Sequence, residues 1–450
     1  MDTQFLQRRS RQVAVGIMCG SEIKFSFSGT YSCGGVAVGG GEKKAVFSGG
    51  KILFDGNIYA ELLFTPQSPD CTFTLCDVTI GKQFHWERRE NETFAGALKL
   101  LPDGAVLHAI NVVDIETYLQ SVISSEMSST APIEYLKTQA VVSRSWLVRI
   151  LAERDRGITH KSVETNEVLA DGVVRHIAWY ENDNHKLFDV CADDHCQRYE
   201  GITHIANPNA EKAVAETCGE VIVSGSEVCD ARFSKCCGGV SERFSACWDD
   251  SDKTYLQPVR DDDGDDAVPD LSVEANAEQW ILSAPESFCR GDGDDSVLSL
   301  VLNDYDLETH DFYRWREEYT NARLASLLRE KTGIDFGEVV DLRPLRRGAS
   351  GRIVELEVSG TKARMIIGKE LEIRRALSES HLKSSAFIVR GLDISSRGIP
   401  ARFELVGAGW GHGVGLCQIG AAIMSARGYG YREIIAHYFK NTKIENIYNL

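Results

Sequence analysis

The stretch DIETYLQSVISSEMSSTAPIEYLKTQAVVSRSWLVRILAERDRG, residues 114–157, decides how the rest of the chain is read. Asp114 can cap a helix N-terminus, and Ile115, Tyr118, Leu119, Val122 and Ile123 follow at helical spacing. The pattern stops near Glu126 and Met127, before the polar break Ser128–Ser129–Thr130. Pro132 sits where a first-turn proline is tolerated, so a second helix is predicted over 132–156, closed by Gly157. At about 100° per residue, Ile133, Leu136, Ala140, Leu147 and Leu151 make one apolar stripe. Lys137 and Arg144 fall inside that stripe. Cations on a core face cost on the order of several kcal/mol each unless they are paired. Glu126, at the end of the preceding helix, is a natural partner. One reading is a structural ion cluster, or long stems that snorkel to the surface. The other is a cleft where one proton-carrying carboxyl and two cations meet an anionic substrate.

Working outward, residues 12 to 112 read as strands. Short or alternating apolar runs (Val13–Met18, Ile23–Phe27, Val36–Val38, Phe73–Val78, Leu98–Leu101, Val106–Ile110) are separated by Gly, Asp, Asn and Pro. Short strands return over 163–248, and 249–266 is loop-like. Trp315–Lys331 carries a helical pattern, and Arg352–Val358 with Lys362–Ile367 reads as a hairpin. The end holds a glycine-rich loop at 407–415, a helix from Gln418 to Arg427 and a short helix over 431–439. Strand-rich and helical segments that alternate irregularly make an α+β chain.

With 450 residues the chain can bury a sizeable core without staples. Lys plus Arg is 49 and Asp plus Glu is 66, a balance of −17 that argues against nucleic acid as a partner, since a phosphate backbone calls for a basic stripe. No apolar run reaches the ~18 residues of a transmembrane segment. Arg8, Arg9 and Arg11 precede a run too short for a convincing secretory leader, so no export signal is read and Val13–Met18 is taken as a first strand.

At this point a family becomes visible. YLQSVISSEMSSTAPIEYLKTQAVVSRSW (118–146) and GWGHGVGLCQIGAAIMSARGYGYREIIAHYF (409–439) resemble the central and C-terminal motifs of the stage II sporulation protein D / LytB (SpoIID/LytB) family. FSKCCGGVSERFSACW (233–248), the GASGRIVELEVSG hairpin (348–360) and ELEIRRALSESHLKSSAFIV (370–389) fit between them. The resemblance implies a bacterial protein. Sporulation members of that family are lytic transglycosylases, lyases that act on peptidoglycan strands stripped of stem peptides. LytB-type members are described as amidase enhancers. It implies four regions: a strand-rich 12–112, a core with the catalytic helices over 113–260, a variable insert over 261–340, and a segment over 341–450 that packs back on the core. By motif, Glu126 matches the catalytic glutamate, Lys137 and Arg144 the basic positions, and Tyr255 an active-site tyrosine. Gln257 stands where Lys is common, and Cys236 and Cys237 stand where small or hydroxylated residues are usual. The same motifs turn His412 and Gln418 towards the cleft.

A lytic transglycosylase needs one carboxyl group, whereas ordinary glycosidases use two at a set separation. Glu126 is the single standout. A general acid at neutral pH wants a raised pKa, yet Lys137 and Arg144 beside it would lower it. The expectation is that both cations face the free lactyl carboxylate of stripped strands more than they face Glu126. Trp410 offers a sugar-stacking face. Gly409, Gly411, Gly413 and Gly415 alternate, which suits positive φ or close backbone approach. The loop lacks the Lys-Ser/Thr ending of a phosphate loop, so nucleotide binding is rejected.

Of 13 cysteines, the segment NHKLFDVCADDHCQRYEG (184–201) holds Cys191 and Cys196 together with His185 and His195. Two thiolates and two imidazoles suit tetrahedral zinc. A Cys191–Cys196 disulfide and free thiols remain open alternatives. The aspartate run 261–266 reads as a solvated loop, matching no EF-hand spacing. The function readings are a lytic transglycosylase, a non-catalytic wall-binding amidase enhancer, a water-using muramidase, and a metal hydrolase built on the His/Cys cluster. The first three expect peptidoglycan strands as partner and a place in the cell envelope.

Overall fold

Alternation builds the N-terminal half. Ile23, Phe25 and Phe27 are buried while Glu22, Lys24 and Ser28 face water, the period of a half-buried strand. The computed structural model describes residues 12–448 apart from 82–86, 159–160, 181–184, 194, 204, 206, 265–266, 292–297, 300 and 303–310. Arg8, Arg9 and Arg11, and Asp265 and Asp266 of the acidic run, lie outside the described residues. Strand Glu22–Ser28 sits inside a six-stranded antiparallel sheet. A seven-stranded sheet holds Gln12–Gly20, Val106–Asp114 and Ala97–Asp103 at its centre. The sheets meet through aromatic rings: Phe25 lies 5.4 Å from Phe64, and Phe27 stacks on Tyr31 at 4.2 Å.

Strand Val106–Asp114 runs straight into the first helix, Ile115–Glu126. Asp114 Oδ1 accepts the Glu116 N–H at 2.9 Å, the expected cap. Met127 is extended and ends the helix. The long helix, Ile133–Asp155, is buried without a break from Thr138 to Val148. A helix sheathed on all sides has no wet face to which a cation can turn.

The C-terminal half has its own core, which includes Trp315, Leu328, Leu342, Ile353, Phe387 and Leu405. Its five-stranded sheet is ordered Val163–Val168, Val174–Trp179, Arg364–Gly368, Ile353–Gly360, Val339–Arg347. The hairpin expected near 352–367 is therefore present. Trp315–Lys331 is corrected: Arg314–Thr320 is a strand paired antiparallel with Pro400–Ala408, and the helix begins only at Asn321. Helix-forming Arg and Glu masked a period of two, in which Trp315 is buried between less buried neighbours. Thr320 Oγ1 accepts the Arg323 N–H at 3.3 Å and caps the helix. The chain is α+β.

Helix Tyr431–Tyr438 carries His437, whose ring lies 5.7 Å from Phe288. Burial, with Lys440 adding, pushes its pKa down to about 4. An unfolded histidine titrates near ~6.5. Between those values the unfolded chain takes a proton that the folded chain refuses, so this contribution is intact above about pH 6.5 and is lost as pH falls towards 4. By about pH 5 the loss is roughly 2 kcal/mol. Urea melts at pH 7.5 and pH 5 should show a smaller drop for His437→Phe than for the wild type; an unchanged drop would refute the assignment to His437.

Candidate active site at the end of the first helix

Glu126 is the last residue of the first helix and is half-buried. Its Oε1 accepts the Arg198 backbone N–H at 2.9 Å. Its carbonyl accepts Lys235 Nζ at 3.1 Å, and the same nitrogen lies 3.3 Å from Met127 Sδ. Arg198 Nη1 reaches the Ser125 carbonyl at 3.4 Å. Two cations thus sit at a helix C-terminus, where the backbone dipole favours them. Sequence reasoning missed both. The signal for Lys235 was its place immediately before Cys236–Cys237, within the family-like segment 233–248.

The partners expected for Lys137 and Arg144 are corrected. Arg144 is fully buried and grips Glu116 with both arms, Nε at 3.0 Å and Nη2 at 2.6 Å. Its Nη1 donates to the Glu220 carbonyl at 3.0 Å. Lys137 pairs with Glu134 at 2.8 Å and Glu216 at 2.7 Å. Neither bonds Glu126. Both are occupied by carboxylates of the protein itself, which is the structural ion cluster of the two readings. Geometry explains the choice. The chain reverses over 127–132, so the two helices run back alongside each other. Arg144 lies ~16 Å beyond the start of the long helix, and Glu116 ~15 Å before the end of the first, at 1.5 Å per residue.

Lys235 leads to the glycine loop. Its neighbour Cys236 exchanges backbone bonds with Trp410, N to O at 3.1 Å and O to N at 2.8 Å. Just before it, Phe233–Ser234 pairs in parallel with Leu416–Cys417. Gly409, Gly411, Gly413 and Gly415 all have positive φ, as expected. At Gly413 the reason is direct: a Cβ would lie 2.4 Å from Arg352 Cζ. Arg352 is fully buried and donates to the carbonyls of Gly411 (3.1 and 3.0 Å) and Cys237 (3.1 Å) and to Ser350 Oγ (2.9 Å). Ser350 Oγ in turn donates to buried Glu242 at 2.6 Å. This buried relay fixes the loop.

Trp410 is partly exposed, with Phe312 4.9 Å away and Lys383 Nζ 6.0 Å from its ring centroid. His412 points the other way, edge-on to Trp248 at 5.0 Å, and its Nδ1 accepts the Val414 N–H at 3.0 Å. Burial, then the guanidiniums of Arg232, Arg352 and Arg374, push its pKa well below the usual imidazole value, so it is neutral. Gln418 is buried and its Nε2 has no hydrogen-bond partner among the described residues; the same holds for Ser234 Oγ on the adjoining strand. Tyr255 is half-buried and its hydroxyl accepts the Asp230 N–H at 3.0 Å, three residues before the strand that leads to Lys235.

The His/Cys segment converges. The ligand atoms of His185, Cys191, His195 and Cys196 all lie within 4.8 Å of one another. His185 Nε2 is 3.3 Å from Cys196 Sγ, and His195 Nδ1 is 3.7 Å and 4.0 Å from the two sulfurs. Tetrahedral zinc at ~2.0–2.3 Å from each donor separates them by ~3.3–3.8 Å, so the set fits a metal. Cys191 precedes Arg198 in the chain and pairs with Gly16 at the sheet edge, so an ion here would brace the segment that reaches Glu126.

The profile of a family described as "Stage II sporulation protein" matches residues 103–223, and that of a "Domain of unknown function (DUF8618)" matches residues 242–415. An uncharacterized protein of Brachyspira hyodysenteriae is 24% identical over 351 residues, 78% of this chain and 72% of the relative. Stage II sporulation protein D of Bacillus amyloliquefaciens is 21% identical over 339 residues, 75% of this chain and 76% of the relative. An amidase enhancer of Bacillus subtilis is 20% identical over 340 residues, 72% of this chain and 40% of the relative. The chain carries a domain of the SpoIID family, and relatives named stage II sporulation protein D and amidase enhancer align with about three quarters of its length.

Proposed function

We propose that the chain acts on the bacterial cell wall as a lytic transglycosylase, cleaving the MurNAc–GlcNAc bond of peptide-stripped peptidoglycan strands. The observation that carries this reading is the half-buried carboxyl of Glu126 at a helix end, tied through Lys235 and its neighbour Cys236 to the glycine loop that holds Trp410. Glu126 gives its proton to the glycosidic oxygen as the bond to muramic C1 breaks. The resulting carboxylate takes the proton of the C6 hydroxyl, whose oxygen bonds to C1. A 1,6-anhydro end forms, no water is consumed and the acid is restored. Arg198 and Lys235 are positioning residues for this group. Trp410 supplies a face for a sugar ring, and the unpartnered amide of Gln418, on the helix turn that bonds the Lys235 carbonyl, supplies a donor. Tyr255 fixes the segment that leads to Lys235. A zinc ion held by His185, Cys191, His195 and Cys196 would be structural, since four protein donors leave no open position.

Mass analysis of products from stripped strands tests the proposal. Anhydro ends support it, whereas reducing ends would assign a muramidase. Lys235, which bonds the Glu126 carbonyl, also becomes the candidate for the lactyl carboxylate, in place of Lys137 and Arg144. Lys235→Met should narrow the preference for stripped over peptide-bearing strands, by about tenfold for one charge-assisted contact of ~1.5 kcal/mol. An unchanged preference would remove Lys235 from substrate selection. The similarity to an amidase enhancer keeps a second reading, in which the same residues bind strands for a cell-wall amidase.

A further inference from the structure

A second cluster lies beneath the glycine loop, and the chemistry above makes no use of it. Cys237, Asp261, Cys289 and Cys417 are all buried, and their ligand atoms lie within 4.8 Å of one another. Cys237 Sγ and Cys289 Sγ are 3.7 Å apart, the ~3.8 Å edge of a tetrahedron with ~2.3 Å metal–sulfur bonds. The Cys236 thiol also meets Cys289 and Cys417, so five acidic groups share this chamber, and Asp261 has no basic partner among the described residues. Buried acids so placed must either all hold their protons or share a cation. The surroundings favour the cation. The Cys237 N–H points at Cys417 Sγ at 3.2 Å, and Asp261 accepts the Cys289 N–H at 2.8 Å and the Tyr438 hydroxyl at 2.5 Å. Such donors orient ligating thiolates and carboxylates and spread their charge. Gly420 keeps the carboxylate in place, because a Cβ there would lie 2.4 Å from Asp261 Oδ1.

We propose that Cys237, Asp261, Cys289 and Cys417 hold a structural zinc ion. The donors are too close together for a multinuclear cluster, and their softness selects zinc over calcium or magnesium. All four positions come from the protein, and no substrate reaches them. The ion ties the residue after the Cys236–Trp410 pairing to the 3₁₀ turn Phe288–Arg290 and to the N-cap of helix Gln418–Ala426. It thereby braces the wall that carries Trp410 and Gln418. This also gives Cys237 a reason to stand where the resemblance expects a small residue.

The test uses the full chain, isolated without chelator. Crystals measured at the zinc absorption edge should show an anomalous peak among Cys237, Cys289 and Cys417. Wild-type protein should carry about two zinc ions if the His/Cys segment is also loaded, and His185→Ala/Cys191→Ser should still carry about one. Adding Cys289→Ser should remove that one. The proposal is overturned if the edge map is blank at this cluster, if the double variant is folded yet zinc-free, or if peptide mapping of unreduced protein finds a Cys237–Cys289 disulfide. Should the cysteine variants not fold, the edge map of the wild type alone decides.

Discussion

On the proposed single-acid scheme, Glu126→Gln should lower the release of anhydro ends from stripped strands by about 10²–10⁴-fold, the range set by loss of a positioned proton donor. Gln has nearly the same shape and keeps an oxygen for the Arg198 N–H, so the fold and strand binding stay close to wild type. Only the proton is lost. Product release and strand pull-down, measured on one preparation, separate the readings. Activity that survives the substitution would overturn the single-acid scheme. A variant that cuts nothing but still stimulates an amidase as well as wild type would favour the enhancer reading.

Arg144→Met destabilises the chain by about 3–5 kcal/mol, because it strands a carboxylate built around the guanidinium. Glu116 also accepts Gly219 N–H at 3.3 Å and the Tyr448 hydroxyl at 3.0 Å, so its charge cannot turn to water without breaking the join between the helix pair and the C-terminus. Urea melts would show the loss directly, and Arg144→Met/Glu116→Leu should recover much of it. Lys137→Met is the contrast. Its ammonium sits in a partly exposed cluster, 15% accessible beside a 42% accessible Glu216, and should cost no more than about 1 kcal/mol. Equal losses for the two single variants would refute the account of Arg144 as the buried member.

The helix pair was legible because cap and periodicity agree locally: Asp114 both looks like a cap and forms one. The strand Arg314–Thr320 was not, because its pairing partner lies some ninety residues further on and its composition suits a helix equally well. The anomaly at Arg144 was visible as a charge in an apolar stripe, but proximity in sequence pointed to Glu126. Counting rise along two antiparallel helices points to Glu116 instead. The His/Cys segment could be read from spacing, since its members fall within twelve residues. The thiol chamber could not, since Cys237, Asp261, Cys289 and Cys417 meet only through the tertiary fold. Lys235 needed the strand pairing that brings it under Glu126.

The parallel pairing of Val174–Trp179 with Arg364–Gly368 has a practical corollary for anyone cutting the gene into pieces. A fragment that stops before the latter strand leaves a bare β-edge on the former, and such edges recruit other chains. The helices Ile115–Glu126 and Ile133–Asp155 expressed without that distant strand should therefore precipitate, whereas a truncation that spares both strands should stay in solution.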